Sequence, residues 1–147
     1  GLFSSQGSRA KNGKCFPSII LENLDKNGKV FCVNDQIINL TYTPTAAKWI
    51  VKMIQKEREG VYGTYHLANR GDVTWFEAAK EIAILIGRED DVYPLETEDF
   101  YTNLQRPLWT PLNPTKLEDT FQDNRDDTIP YLKEDIEIYL RAIGKLV

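Results

Sequence analysis

The sequence predicts an α/β protein with a few short strands and about four helices. Apolar residues recur at helical spacing in four segments, and three short runs rich in β-branched or aromatic residues lie between them. Alternating helices and strands favour a fold with some parallel strand pairing. A length of 147 residues, 41% of them hydrophobic and 27% charged, suits one domain with its own core.

The first third of the chain predicts a loop, a helix and a strand. Residues 1–15 are rich in Gly, Ser, Lys and Asn without apolar periodicity, so we expect a loop. Pro17 suits the first turn of the helix that follows, and Asn27-Gly28 suits its end. Residues 29–33 (KVFCV) predict a short strand.

The middle third predicts a two-faced helix and a buried strand. Residues 34–43 suit a loop with room for a short strand in its second half, and Thr43-Pro44 then opens a helix to about residue 59. Residues 61–68 (VYGTYHLA) predict a strand apolar enough to be buried on both faces, although the chain supplies few neighbours for it. We interpret one side of the helix as an apolar stripe (Ala46, Ala47, Ile50, Val51, Ile54) and the other as facing water (Lys48, Lys52, Lys56, Glu57).

The last third begins with the clearest helix of the sequence. Thr74 and Glu77 have the spacing of a capping box, which predicts a helix that stops at Gly87. Residues 92–95 predict a strand, and the proline-rich stretch 96–114 is expected to be irregular. The prediction ends with a short helical turn over 115–121, a solvated acidic loop over 123–127 and a final helix over 130–143.

Charge and composition exclude several classes of function. A net charge of −4 with scattered basic residues argues against nucleic-acid binding, which needs clustered Lys and Arg. No apolar stretch approaches the ~20 residues that span a bilayer, so we expect no membrane partner and a cytoplasmic protein. Cys15 and Cys32 are too few for a disulfide scaffold. We expect Cys32 in the core, Cys15 as a free thiol in a polar loop, and no metal site.

A self-contained catalytic site is not expected. The sequence contains no G-x-G-x-x-G, P-loop, G-x-S-x-G or H-E-x-x-H motif. The single histidine, His66, is expected to be packed or hydrogen-bonded in its strand, and paired acids such as Glu118-Asp119 to be solvated surface. Trp49 and Trp75 suit the core, whereas Trp109 suits either the core or a platform for a ligand ring.

Four ordered stretches, which cover almost the whole chain, carry a family resemblance. They are GLF at 1–3 with GSR at 7–9 and Phe16, VNDQI at 33–37 with TYT at 41–43, YHLA at 65–68 with TWF at 74–76 and Ala79, and RP at 106–107 with Leu112 and KL at 116–117. The second resembles the pattern V-x-D-Q-x-G-x-P-T-Y-T, and the fourth resembles R-R-P-x-x-S-x-L-D-x-S-K-L. Together they resemble the C-terminal region of dTDP-4-dehydrorhamnose reductases, in the extended short-chain dehydrogenase/reductase superfamily.

The resemblance implies the C-terminal portion of a Rossmann-like reductase that uses NADPH or NADH on a nucleotide-linked 4-keto sugar. Residues 1–147 would be one substrate-binding domain, inactive alone, whose partner is the N-terminal Rossmann half of the same protein. That half carries the family's Gly-rich cofactor loop and Tyr-x-x-x-Lys pair, and neither occurs here. The absence of an initiator Met suits such a fragment, while a processed or trimmed chain stays open.

The resemblance also places the sugar-nucleotide contacts. They would lie on the 34–42 loop, with Asp35, Gln36 and Tyr42, and on Arg106. A guanidinium pairs bidentately with a diphosphate, while carboxylate and amide groups bind sugar or base hydroxyls. The alternatives are a surface ion pair for Arg106 and turn formation for Asp35-Gln36.

Two other functions stay open. Gln105-Arg106-Pro107 resembles the Q-R-P of the regulatory subunit of methionine adenosyltransferase, a non-catalytic branch of the same family, so a partner-binding role is one alternative. A fragment of a related nucleotide-sugar epimerase or dehydratase is the other. In each case we expect apolar surface to be exposed along residues 61–68 and the 44–59 helix, and the isolated chain to self-associate.

Overall fold

Five α-helices, two single-turn 3-10 helices (Glu89–Asp91 and Thr97–Asp99) and six short strands form within residues 1–7, 12–57, 59–99 and 106–146, which are the residues that the computed structural model describes. The strands are β1 (Leu2–Phe3), β2 (Val30–Val33), β3 (Ile37–Ile38), β4 (Thr41–Tyr42), β5 (Val73–Thr74) and β6 (Val92–Leu95). The helices are α1 (Phe16–Asn27), α2 (Thr43–Gln55), α3 (Trp75–Leu85), α4 (Thr115–Phe121) and α5 (Leu132–Ala142). The predicted α/β class is confirmed. Ser8, Arg9 and Gln105 of the family resemblance lie outside the described residues.

Local chemistry sets the ends of α1 and α3 where the sequence predicts them. Gly28 ends α1 with a φ of 71°, a left-handed conformation that favours glycine. Thr74 caps α3: its hydroxyl accepts from the Glu77 amide at 3.0 Å, and the Glu77 carboxylate accepts from the Thr74 amide at 2.8 Å. Both helix predictions are confirmed.

The strands pair two by two. β2 pairs with β6 in parallel, with Val30 opposite Val92, and β1 pairs with β4 in parallel. β3 and β5 form an antiparallel pair. The parallel pairs agree with the alternation of helices and strands. The predicted loop over residues 1–15 is wrong at its start, because Leu2–Phe3 forms β1, a strand too short to show a periodicity.

The main core lies between α1, α3, α5 and the β2–β6 pair. Ile82 of α3 and Ile136 of α5 are fully buried at its centre. Cys32 lies there as predicted, and burial raises the pKa of its thiol to about 12. Cys15 does not lie in a polar loop: it is buried at the start of α1, with its Sγ 3.6 Å from the Ser4 carbonyl. Both thiols are free.

A smaller cluster, which we call the satellite core, packs beneath α2. It consists of the buried side chains Trp49, Leu117, Phe121 and Ile129. The prediction that Trp49 belongs to a core is confirmed.

Residues 61–68, predicted as a strand, pair with no strand in the described part of the chain. Val61, Tyr65 and Leu67 pack against the satellite core, and backbone bridging begins only at Arg70, opposite Tyr131. The prediction fails because a strand needs a partner edge, and a β-rich composition does not supply one. His66 is exposed as a result, rather than packed in a strand.

The two faces of α2 follow the prediction only in part, because Lys48 faces water as expected. Ile50 and Val51 are each 49% exposed and Ile54 is 67% exposed, which confirms the expected exposure of apolar surface along this helix. Lys52, expected to face water, has a side chain only 12% exposed. The helix ends at Gln55, earlier than predicted.

The acidic loop over residues 123–127 binds the lysines of α2. Asp123 forms ion pairs with Lys52 at 3.0 Å and with Lys56 at 2.5 Å. Asp127 pairs with Lys52 and, at 3.5 Å, with Lys48. The prediction of a solvated loop holds for residues 123–126, which are exposed, but not for Asp127, whose side chain is only 12% exposed. The lysines that bind Asp127 lie 75 and 79 residues earlier in the sequence, so no local pattern reveals these ion pairs.

Candidate functional site

Asp35 and Gln36 meet at one threonine. The Asp35 carboxylate accepts from the Thr97 hydroxyl at 2.6 Å and from the Thr97 amide at 3.1 Å. These bonds hold the pKa of Asp35 below its usual value. The buried Gln36 amide donates to the same hydroxyl at 2.9 Å. These hydrogen bonds hold the 34–36 turn against Thr97, which lies just after β6.

Tyr42 lies apart from that turn, inside the main core. Its ring centroid is 5.1 Å from that of Phe3, and its backbone amide donates to the Asn69 side chain at 3.1 Å. Burial raises the pKa of the Tyr42 phenol, and the negative charge of Asp135 raises it further.

Arg106 is exposed and begins a segment that returns to the 34–42 loop. Ile37 donates its amide to the Leu108 carbonyl at 2.7 Å and accepts from the Thr110 amide at 3.0 Å. The turn that holds Asp35 and Gln36 and the segment that begins with Arg106 are thus neighbours along β3. The structure brings these three predicted residues to one edge of the molecule and leaves Tyr42 inside it.

A cleft of about 450 Å³ opens beside this edge. We call it the Asn39 cleft; six of its lining residues are Asn39, Asn69, Arg70, Asp72, Trp109 and Tyr131. The buried Asn39 joins its walls, because its side chain accepts from the Leu112 amide and donates to the Asp72 carboxylate at 3.1 Å. Sequence reasoning missed this cleft. A polar residue within the apolar run IINL at 37–40 was the available signal.

A buried carboxylate supports the back of the cleft. Asp135 is 1% exposed and accepts from the Asn69 amide at 2.6 Å and from the Thr45 hydroxyl at 2.8 Å. Loss of hydration raises the pKa of Asp135, and the two hydrogen bonds act against that rise. Because Thr45 lies in α2 and Asp135 in α5, this network ties the first turns of both helices to the cleft wall.

One of the paired acids is not solvated surface. Glu118, predicted to be exposed, is buried; it pairs with Arg70 at 2.7 Å and accepts from the Ile129 amide at 2.6 Å. Within the described ranges, no group of three or more His, Cys, Asp or Glu side chains is placed to hold a metal ion. No helix of the described chain is both long enough and apolar enough to cross a bilayer.

Known proteins resemble this chain in sequence and in fold. Residues 6–140 match the family described as the RmlD substrate binding domain. The spore coat polysaccharide biosynthesis protein SpsK of Bacillus subtilis (strain 168) is 27% identical over 107 residues, which are 73% of this chain and 36% of that protein.

Two solved dTDP-4-dehydrorhamnose reductases are 26% identical to this chain, each with a TM-score of 0.79. That of Bacillus anthracis strain Ames, in complex with NADP, is matched over 96% of this chain and 46% of its own. That of Clostridium acetobutylicum is matched over 97% of this chain and 46% of its own. The chain thus spans less than half the length of these relatives. It belongs to the RmlD substrate binding domain family.

Proposed function

We propose that this chain is the sugar-nucleotide-binding part of an NAD(P)H-dependent reductase of a dTDP-4-keto-6-deoxy sugar, and that it is not catalytic alone. The observation that carries the proposal is the similarity, over nearly the whole chain, to two dTDP-4-dehydrorhamnose reductases. The name of the Bacillus subtilis relative, a polysaccharide biosynthesis protein, supports the same type of pathway.

Arg106 and Asp35 are the members of the proposed site that reach water. The Arg106 guanidinium would pair with the diphosphate of the ligand. Asp35 stays ionised and uses one carboxylate oxygen for Thr97, so the other can accept from a ligand hydroxyl. Gln36 and Tyr42 are buried, and we propose that they hold the loop in place beneath the ligand.

The described part of this chain does not fit NAD(P). A dinucleotide site needs a glycine-rich turn between a strand and a helix, so that the helix N-terminus meets the pyrophosphate. Here β4 leads directly into α2 and β5 directly into α3, without a glycine at either junction. The segment between β1 and α1 contains Gly7 and Gly13, but these do not have the G-x-G-x-x-G spacing. We therefore assign the cofactor, which supplies the hydride, to the rest of a longer protein.

The exposed face of α2 and residues 61–68 is the proposed contact with an N-terminal Rossmann half. On α2 the side chains of Ile50, Val51 and Ile54 are exposed, and in residues 61–68 the exposed aromatic side chain is that of Tyr62. Residues 61–68 also offer backbone groups outside any described strand pair, so they could extend a sheet. A non-catalytic relative would use the same face for a partner protein. A longer native sequence with a Gly-rich loop and a Tyr-x-x-x-Lys pair would favour the reductase.

Calorimetric titration with dTDP-rhamnose tests the proposed site. We expect Arg106→Ala to raise the Kd about tenfold, because it removes a charge-assisted contact with the diphosphate. Arg125→Ala, which removes another exposed arginine, is the matched control and should leave the Kd unchanged. Equal affinities of wild type and Arg106→Ala would remove Arg106 from the site. No binding by the wild type would contradict the proposal itself.

A further inference from the structure

We propose that the Asn39 cleft binds an uncharged saccharide ring, packed against Trp109 and Tyr131 and hydrogen-bonded by Arg70 and Asp72. This site is distinct from Asp35, Gln36, Tyr42 and Arg106. It therefore goes beyond the proposed function and does not depend on it.

Two large aromatic side chains line the cleft with most of their surface in water. Trp109 is 63% exposed and Tyr131 is 58% exposed. In the described part of the chain, neither ring packs against another aromatic ring. A flat apolar ring beside convergent polar groups suits a ligand that has both an apolar face and a polar rim. A pyranose ring is such a ligand, with C–H groups on its faces and hydroxyls around its edge.

Both walls of the cleft are fixed by the backbone. The two hydrogen bonds between Ile37 and residues 108–110 hold the wall of Trp109. On the opposite wall, Tyr131 forms a bridge with Arg70, and its ring lies over Gly71, where an added Cβ would stand 3.3 Å from it. Asn39 joins the walls. A ligand therefore meets an arrangement that is already formed, which lowers the entropy lost on binding.

Arg70 and Asp72 each have atoms that could form hydrogen bonds with the hydroxyl groups of a ligand. One guanidinium nitrogen of Arg70 donates to Glu118 at 2.7 Å, and one carboxylate oxygen of Asp72 accepts from Asn39 at 3.1 Å. Within the described residues, the remaining nitrogens of Arg70 and the second oxygen of Asp72 have no hydrogen-bond partner. A guanidinium only donates and a carboxylate only accepts, whereas a hydroxyl does both. Adjacent sugar hydroxyls can therefore satisfy both groups at once.

The charge balance argues against an anionic ligand. Arg70 is the only cation among the residues that line the cleft, and the negative charges of Glu118 and Asp72 offset it. A phosphate would bring at least one further negative charge to Asp72 without a free cation to neutralise it. A neutral ring avoids that cost.

Saturation-transfer NMR with methyl α-L-rhamnopyranoside and methyl α-D-glucopyranoside tests the site. We expect at least one glycoside to bind with a Kd on the order of 1 to 10 mM, as suits a small ligand in a shallow cleft. Trp109→Ala and Tyr131→Ala should each raise that Kd at least about threefold. Tyr62→Ala, which removes an exposed tyrosine outside the cleft, should not change it. Trp109 and Tyr131 are exposed, so we expect both variants to fold, and unfolding midpoints verify this.

Three outcomes would overturn the proposal. One is the absence of saturation transfer from both glycosides at about ten times the expected Kd. Another is an unchanged Kd in both cleft variants. The third is binding of dTMP or inorganic phosphate that depends on Trp109 while the glycosides do not bind, which would make the cleft a nucleotide or anion site. Because the glycosides carry no nucleotide, a failed dTDP-rhamnose titration leaves this result unaffected.

Discussion

Helices α3 and α2 both carry an apolar stripe, but only α3 buries it. Ile82 and its neighbours on α3 are covered by α1 and α5, and they form the centre of the main core. On α2, a single fully buried side chain, Trp49, reaches the satellite core, while Ile50 and Ile54 face water. Periodicity therefore shows that a face suits burial without showing what covers it. The main core is packed by several elements of this chain, whereas the α2 side rests on the small satellite core and on ion pairs with the acidic loop.

The largest expected effect is a difference in stability between substitutions on the buried face of α3 and on the exposed face of α2. Ile82→Ala should lower the free energy of unfolding by about 2–5 kcal/mol, because it leaves a cavity at a fully buried position. Ile54→Ala, at a position 67% exposed, should change it by less than about 0.5 kcal/mol. Urea unfolding followed by circular dichroism measures both. Similar losses in the two variants would mean that the exposed face of α2 is covered in the free chain.

The next effect concerns self-association through that face. We expect the chain to self-associate, and Ile50→Asp with Ile54→Asp to weaken this at least about tenfold, because each carboxylate would be buried without a partner. Sedimentation velocity over a range of concentrations provides the measurement. Ile138→Asp, at an exposed position on α5, is the control. A wild type that stays monomeric at high concentration would contradict the prediction.

The smallest effect is that of the ion pairs which hold the acidic loop to α2. Burial works against ionisation of Asp127, but hydrogen bonds from the Lys52 ammonium and the Asp123 amide outweigh it and lower the pKa of Asp127 to about 2. The usual value is 3.8, so the folded state favours the charged form. This stabilisation is present above about pH 4 and is lost as the pH falls towards 2.

Asp127→Asn should therefore cost about 1 kcal/mol at neutral pH, a figure reduced for screening by solvent. The difference from wild type should shrink between about pH 4 and pH 2. Asp126→Asn changes an exposed neighbour and should have little effect at any pH. A constant difference between Asp127→Asn and wild type across this pH range would show that the ion pairs contribute nothing.

The elements that could be predicted are those with local causes. The capping box of Thr74 and Glu77 and the terminal Gly28 act within a few residues, so the sequence alone reveals them. The failures have distant causes. Residues 61–68 needed a partner edge, and the burial of Glu118 depends on Arg70, 48 positions away. No periodicity records such a pairing.

In the candidate site, too, some residues could be predicted from the sequence and others could not. The family resemblance led to Asp35, Gln36 and Arg106, and the structure brings these three to one edge; their binding roles stay predictions. The sequence does not reveal the Asn39 cleft, because its walls come from segments that lie 30 or more residues apart in sequence. The sequence allows Trp109 to lie either in the core or on a platform for a ligand ring, and its high exposure excludes the core.

The burial of Cys32 makes the reactivity of its thiol a measure of local opening of the structure around β2. With its thiol shielded between β2 and the main core, and with the pKa raised to about 12, almost none of it is thiolate at neutral pH. Oxidants and alkylating reagents can therefore reach this sulfur only when the surrounding structure opens. With a reagent that reacts faster than the structure recloses, the lifetime of the free thiol measures how often the structure around β2 opens; with a slower reagent, it measures the fraction of molecules that are open.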